Sequence, residues 1–138
     1  MSTRSEGTFA VAGFVPVDVE PAVAVTTAMP VGLATMEKRY SGDVDGVSAT
    51  LFSGGQAPDG TGTYVAVESF AGSLSGRAGS FVFVHAASTH GEDRYAEHFA
   101  IAEGSGTGDL AGIAGGGGMS VDEDGRHRVW FDWSLRTA

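Results

Sequence analysis

The stretch Tyr64-Val65-Ala66-Val67-Glu68-Ser69-Phe70-Ala71-Gly72-Ser73-Leu74-Ser75-Gly76-Arg77-Ala78-Gly79-Ser80-Phe81-Val82-Phe83-Val84-His85 decides the fold. Two runs rich in β-branched and aromatic residues flank Ser75-Gly76, the pattern of a β-hairpin. Glycine reaches positive φ without a Cβ penalty, which a tight hairpin turn needs. A two-residue turn at Ser75-Gly76 pairs Leu74 with Arg77, Glu68 with Phe83 and Ala66 with His85. Side chains alternate across a strand, so Tyr64, Ala66, Glu68, Phe70, Phe81, Phe83 and His85 share one face. Val65, Val67, Val82 and Val84 share the other. Glu68 and His85 become diagonal neighbours, a distance their side chains bridge. A register slip of one residue would separate them.

The same period continues outward. From His127 to Leu135, His127, Val129, Phe131, Trp133 and Leu135 fall on one face, with Arg128, Trp130, Asp132 and Ser134 opposite. Strands are expected over 7–15, 31–43, 47–54, 63–74, 77–87, 96–104, 113–121 and 127–136. Pro58-Asp59-Gly60 and Asp122-Glu123-Asp124-Gly125 mark further turns. A short pattern, Gly-x-(Val/Leu)-x-Gly, recurs at Gly42–Gly46, Gly72–Gly76 and Gly108–Gly112, and each copy reads as a hairpin turn at Asp45-Gly46, Ser75-Gly76 and Ala111-Gly112. Gly104-Ser105-Gly106-Thr107-Gly108 lacks the Lys-Ser/Thr of a phosphate loop and reads as a strand bend. The segment from Pro16 to Pro30 reads as a loop or short edge strand. Gly115-Gly116-Gly117-Gly118 is either a bend or a break. No long amphipathic helix is found.

Eight consecutive antiparallel strands can close on themselves and so remove their edges. The expected fold is all-β: an eight-stranded antiparallel closed barrel, forming one domain over 1–138, with a sandwich as the alternative. A barrel of eight strands holds its own side chains or one small ligand.

Composition narrows the function. The 138 residues carry 8 basic and 17 acidic side chains, a net charge of -9, and 22 glycines. Such a chain repels nucleic acid and anionic lipid, so neither is expected as a partner. With no cysteine, disulfides, thiolate catalysis and Cys-type zinc sites are excluded. The histidines His85, His90, His98 and His127 form no recognised zinc motif, and no serine sits in a nucleophile elbow. No metal and no cofactor are expected. No run approaches the length of a membrane span, and Met1–Glu6 has no apolar core, so a cytoplasmic location is the expectation.

The hairpin from Tyr64 to His85, together with Gly104-Ser105-Gly106-Thr107-Gly108-Asp109-Leu110-Ala111-Gly112-Ile113-Ala114-Gly115, resembles the signature of a bacterial family, domain-of-unknown-function family 3224. Gly7-Thr8-Phe9 and Ser41-Gly42-Asp43 fit as well, so the resemblance covers most of the chain. That family is grouped with the allene oxide cyclase barrels, and dirigent proteins are similar at 104–115. The resemblance implies an eight-stranded antiparallel barrel, usually oligomeric, with a pocket inside. It supplies no activity, although the related barrels steer ring closure or radical coupling of apolar substrates. This chain departs from the pattern at Phe14, where the family often has Trp, and in the charged loop Ala86–Arg94.

Glu68 and His85 are the candidate catalytic pair. Burial raises a carboxyl pKa and a nearby imidazole lowers it again, so the two could move a proton near neutral pH. The alternative is a structural hydrogen bond between two half-buried groups. Tyr40, Tyr64, Phe70, Phe81, Phe83, Phe131 and Trp133 are candidate walls for an apolar ligand, or else simply core. Arg77, after the turn, is a candidate anion contact at the barrel mouth or a partner of a local carboxylate. Both hairpin faces are apolar, so the face with Glu68 and His85 is taken to line a pocket. The Val face is taken to meet another subunit in a dimer or trimer; the inverse assignment stays open. Three readings remain: a cofactor-free cyclase or isomerase of an apolar metabolite, a carrier of a small hydrophobic molecule, and a barrel filled by its own side chains.

Overall fold

The computed structural model describes residues 2–137. Eight strands follow in order: β1 (Thr3–Val17), β2 (Val31–Gly42), β3 (Val44–Gln56), β4 (Gly62–Leu74), β5 (Arg77–Thr89), β6 (Tyr95–Ile101), β7 (Ile113–Val121) and β8 (His127–Leu135). Each pairs antiparallel with its chain neighbour, and β1 also pairs with β8, so one all-β sheet runs round as a ring. The seam between β6 and β7 is thin, a single pair at Ala100 and Gly116. Among the described residues no helix is long and apolar enough to cross a membrane.

The central hairpin has the register its turn dictates. Leu74 faces Arg77, Glu68 faces Phe83 and Ala66 faces His85. Ser75 (φ 49) and Gly76 (φ 86) both take the positive φ of a two-residue hairpin turn. Val65 and Val67, by contrast, are 50% and 42% exposed, so the valine face looks outward.

Two of the three expected glycine turns are displaced. Strand β2 ends at Gly42 and β3 begins at Val44, so Asp45-Gly46 lies inside β3. Gly46 serves a different need: it faces Gly72 across the β3–β4 ladder, and a Cβ on it would lie 2.2 Å from the Ala71 carbonyl oxygen. The glycine permits close backbone approach rather than a turn. Strand β6 stops at Ile101, so 102–107 is not strand and Gly104–Gly108 is not a strand bend. A single turn of 3-10 helix at Gly108–Leu110 carries the chain to β7, with Leu110 fully buried, and Ala111-Gly112 is no hairpin turn. Residues 18–30 form a loop. Gly115–Gly118 belong to β7 and pair with β8; a Cβ on Gly118 would lie 2.4 Å from the Trp130 ring, so this glycine makes room for the indole.

The ring's interior is layered along its axis. Toward the Ser75-Gly76 end it is packed solid by Phe70, Leu74, Phe81, Phe83, Leu110 and Phe131, with neighbours from β2, β3 and β8. Phe131 meets Phe81 and Phe83 edge-on, with centroids 5.3 and 5.0 Å apart, an orientation aromatic quadrupoles favour. A polar layer follows at Lys38, Ser48, Thr50, Glu68 and His85, all buried. Beyond it, at the end where Gly62 and Tyr64 lie, the ring opens into a cavity of about 950 Å³.

Candidate functional site

The polar layer is built from adjacent strands whose inward residues are even-numbered on β2, β3 and β4 and odd-numbered on β5. Lys38 and Tyr40 come from β2, Ser48 and Thr50 from β3, Glu68 from β4 and His85 from β5. Register aligns them: Lys38 faces Ser48, and Thr50 faces Glu68. Four side chains converge on the Glu68 carboxylate. Lys38 Nζ donates to Oε1 at 2.9 Å, and His85 Nε2 lies 3.0 Å from the same oxygen. Ser48 Oγ donates to Oε2 at 2.6 Å, and the Tyr40 hydroxyl donates to Oε2 as well.

These contacts set the protonation states. Burial alone would raise the Glu68 pKa. The bond from His85, the charge of Lys38 and the hydroxyls of Ser48 and Tyr40 more than offset it and bring it to about 2. Glu68 is therefore an ionised carboxylate at any physiological pH. Burial pushes His85 down from 6.5, helped by the charges of Lys38 and Arg94, with Glu68 acting in the opposite direction. A neutral imidazole has one donor nitrogen and one acceptor. Its Nε2 faces a carboxylate that only accepts, so Nε2 carries the proton and Nδ1 is the acceptor. Tyr40 is pushed well above the usual phenol range by burial and by the Glu68 charge, so it stays protonated.

The acceptor nitrogen leads out of the layer. Tyr64 Oη lies 2.9 Å from His85 Nδ1 and donates to it. Arg94 Nη2 donates to the same Tyr64 oxygen at 3.0 Å, and Arg94 Nε donates to Glu97 Oε1 at 2.8 Å. Tyr64, Arg94 and Glu97 all line the cavity, with Phe52, Met119 and Trp130 among its apolar walls. The Tyr64 ring is stacked on Phe52, with centroids 5.3 Å apart and planes 11° from parallel. Arg94 precedes, and Glu97 lies in, a bulge where β6 carries one residue more than β5, between the pairs Ala86–His98 and Ser88–Tyr95. Ala96 adopts φ 53 there, a strained value for a non-glycine residue. The result is one hydrogen-bonded chain from the buried carboxylate to the cavity: Glu68, His85, Tyr64, Arg94, Glu97.

The residues singled out in the sequence separate accordingly. Glu68 and His85 are in contact, beneath the cavity. Of the candidate wall residues, Tyr64 lines it. Phe70, Phe81, Phe83, Phe131 and Trp133 do not; they fill the packed half of the ring, and Trp133 Nε1 donates to Ser5 Oγ at 2.9 Å. Tyr40 is buried against Phe9 and Phe70 and bonds Glu68. Arg77 is exposed beside the Ser75-Gly76 turn, at the opposite end from the cavity, so it is not a mouth residue. Sequence reasoning missed Ser48, Arg94 and Glu97 and gave Lys38 no role. The available signal was that Lys38, the only lysine, shares the Tyr40 face. Among the described residues, no cluster of three or more His, Asp or Glu side chains could hold a metal ion.

A family described as "Protein of unknown function (DUF3224)" matches residues 5–133. Among solved structures, the chain is similar to a protein of unknown function from the DUF3224 family of Shewanella oneidensis MR-1. The two are 25% identical, the match covers 99% of this chain and 100% of that one, and the TM-score is 0.84. No curated protein matches the chain.

Proposed function

The chain belongs to the DUF3224 family, and on the geometry of its interior we propose that it is a cofactor-free acid–base catalyst, of the isomerase or cyclase kind, acting on a small apolar molecule held in the end cavity. The observation that carries this reading is the unbroken chain of hydrogen bonds from Glu68 through His85 to Tyr64. A buried carboxylate that only stabilised the fold would need no imidazole leading to a phenol on a cavity wall. The cavity volume, about 950 Å³, lies at the upper end of the range of small-molecule sites. Its walls combine the apolar side chains of Phe52, Met119 and Trp130 with polar ones, among them Tyr64, Arg94, Glu97, Glu92 and Asp93. The resemblance to allene oxide cyclase barrels points the same way by analogy of fold alone.

Native mass spectrometry of the purified protein tests the reading. A bound species of small-molecule mass is expected, released on denaturation and lowered in occupancy in Ala87→Trp, where the indole would intrude into the cavity. An unliganded mass, with no uptake of apolar compounds added at millimolar concentration, would refute it.

We also propose that the outward face of β2–β5 packs against a second copy of this chain. Leu51 is 67% exposed and lies directly across from Val67, with Val15, Leu33, Val47 and Val65 around them. These side chains expose on the order of 500 Å², the size at which an apolar patch marks an interaction surface. With the flanking Ser, Thr and Ala residues it approaches the roughly 800 Å² per partner of a standard interface. On β3, β4 and β5 the outward row from Val47 to Ser53, Val65 to Ala71 and Ser80 to Ala86 bears no charge. On β2 the outward Glu37 and Arg39 neutralise each other at 2.9 Å, so two chains of net charge -9 can meet through β3–β5 without like charges in contact.

A further inference from the structure

The hydrogen-bond directions at the cavity wall say what a ligand must offer. Tyr64 gives its only hydroxyl proton to His85 Nδ1 and accepts one bond from Arg94, so what it can offer a ligand is its remaining acceptor position and no proton. Arg94 uses Nε on Glu97 and one N–H of Nη2 on Tyr64, which leaves three N–H groups without a partner among the described residues. A proton acceptor therefore stands beside oxygen-seeking donors, in a cavity that also offers the apolar side chains of Phe52, Met119 and Trp130. The complementary group is a carbonyl whose neighbouring carbon bears a hydrogen.

We propose that the cavity enolises an apolar ketone or enone, with Tyr64 as the catalytic base and Arg94 as the binder of the carbonyl oxygen. This rests on the acid–base reading above and names its substrate class. In the step, the substrate's α-C–H bond breaks and its proton goes to Tyr64 Oη. The original Tyr64 proton passes to His85 Nδ1. The C–H electron pair forms the carbon–carbon double bond, and the carbonyl π pair moves onto the oxygen beside Arg94 as an enolate. The imidazolium is held by the ionised Glu68, so the charge separated in the step is compensated inside the ring. Return of the proton to the same carbon gives exchange, and return to the far end of a conjugated system gives a shifted double bond. No oxidant, metal or co-reactant is needed. His85 and Glu68 act through Tyr64 and are positioning residues.

The test uses the full chain in D2O with 2-tetralone, and tetralin as the probe without a carbonyl. Binding is read by saturation-transfer NMR and α-hydrogen exchange by loss of the C1 proton signal. Both probes are expected to bind, and exchange of 2-tetralone to exceed the buffer rate at least about 100-fold, the lower end of what a positioned base contributes. Tyr64→Phe is expected to bind 2-tetralone and to exchange it at the buffer rate. Arg94→Gln is expected to lose the preference for 2-tetralone over tetralin. In the wild type, exchange should fall as acid protonates His85, which is faced by Glu68, Tyr64, Lys38 and Arg94. His85→Gln should bind 2-tetralone and lack that acid limb. Binding of both probes with exchange at the buffer rate would overturn enolisation and leave the ligand cavity standing. Failure of 2-tetralone to bind would overturn this inference, and failure of both probes would overturn the cavity reading with it. Exchange that survives Tyr64→Phe but is lost in Glu97→Gln would overturn the assignment of the base.

Discussion

Lys38 Nζ stands 2.9 Å from Glu68 Oε1 with both side chains almost wholly buried, so the only lysine of the chain is committed to one carboxylate inside the ring. That pair makes the rest of the polar layer intelligible. A lone buried carboxylate would take up a proton; one bonded to an ammonium, two hydroxyls and an imidazole stays ionised and fixes the imidazole tautomer. Removing one member of a buried pair leaves the other uncompensated, at a cost of about 3–5 kcal/mol. Lys38→Met and Glu68→Gln are each expected to lower unfolding stability by about 3 kcal/mol or more. The double variant should lose less than the sum of the two, because the residues are in contact. Urea denaturation of the four proteins checks this, and additive losses would contradict the pairing.

Acid should weaken the fold through the same carboxylate. The folded pKa of Glu68, about 2, lies below its ordinary 4.5. Its contribution is therefore fully present above pH 4.5 and is lost as pH falls through the folded value; the shift corresponds to about 3 kcal/mol. His85 acts with the same sign, since its folded pKa also lies below the ordinary 6.5 and its neutral form is the one the fold prefers. Urea midpoints measured from pH 7 down to pH 2 should decline in this window. Glu68→Gln should start lower and show a shallower decline.

Thr50 gives an opposite expectation. It faces Glu68 across the β3–β4 ladder, and its buried Oγ1 is without a hydrogen-bond partner among the described residues. An unsatisfied buried hydroxyl costs about 1–3 kcal/mol, and valine has nearly the same shape. Thr50→Val should stabilise the protein by about 1 kcal/mol, read as a raised urea midpoint. A loss of stability would show that the hydroxyl has a partner.

The outer face predicts an assembly. Light scattering behind size exclusion should give twice the chain mass for the wild type at tens of micromolar. Leu51→Glu, on the outward side of β3, should give the single-chain mass with unchanged circular dichroism. A single-chain mass for the wild type would refute the pairing of two copies through this face.

What the sequence disclosed depended on where a turn could be fixed. Ser75-Gly76 is bounded by long β-branched and aromatic runs, so its position sets the whole β4–β5 register and brings Glu68 to His85. The β2–β3 turn was hidden because Asp45-Gly46 looks like a turn while Gly46 serves close approach to β4. A turn at Asp45-Gly46 would set Lys38 against Ser53 in place of Ser48 and send Ser48 outward, since one residue of slip exchanges the faces. The convergence of Lys38, Ser48 and Tyr40 on Glu68 was lost with it. Arg94 and Glu97 were hidden for another reason. They are brought to Tyr64 by a bulge and a strained Ala96, which no period of two contains. The alternation at Phe81, Phe83, Phe131 and Trp133 gave the inward face correctly but not the depth along the axis, so packed core and cavity wall read alike.

The claim on which the site rests is that a neutral His85 gives its Nε2 proton to Glu68 and accepts the Tyr64 proton at Nδ1. Long-range proton–nitrogen NMR of the imidazole, recorded near pH 7.5 on the wild type and on Tyr64→Phe, measures it most directly. The account predicts a protonated Nε2 and a bare Nδ1 in the wild type, with the Nδ1 resonance alone moving markedly when the phenol hydroxyl is removed. A proton on Nδ1, or an Nδ1 resonance indifferent to Tyr64→Phe, would contradict it.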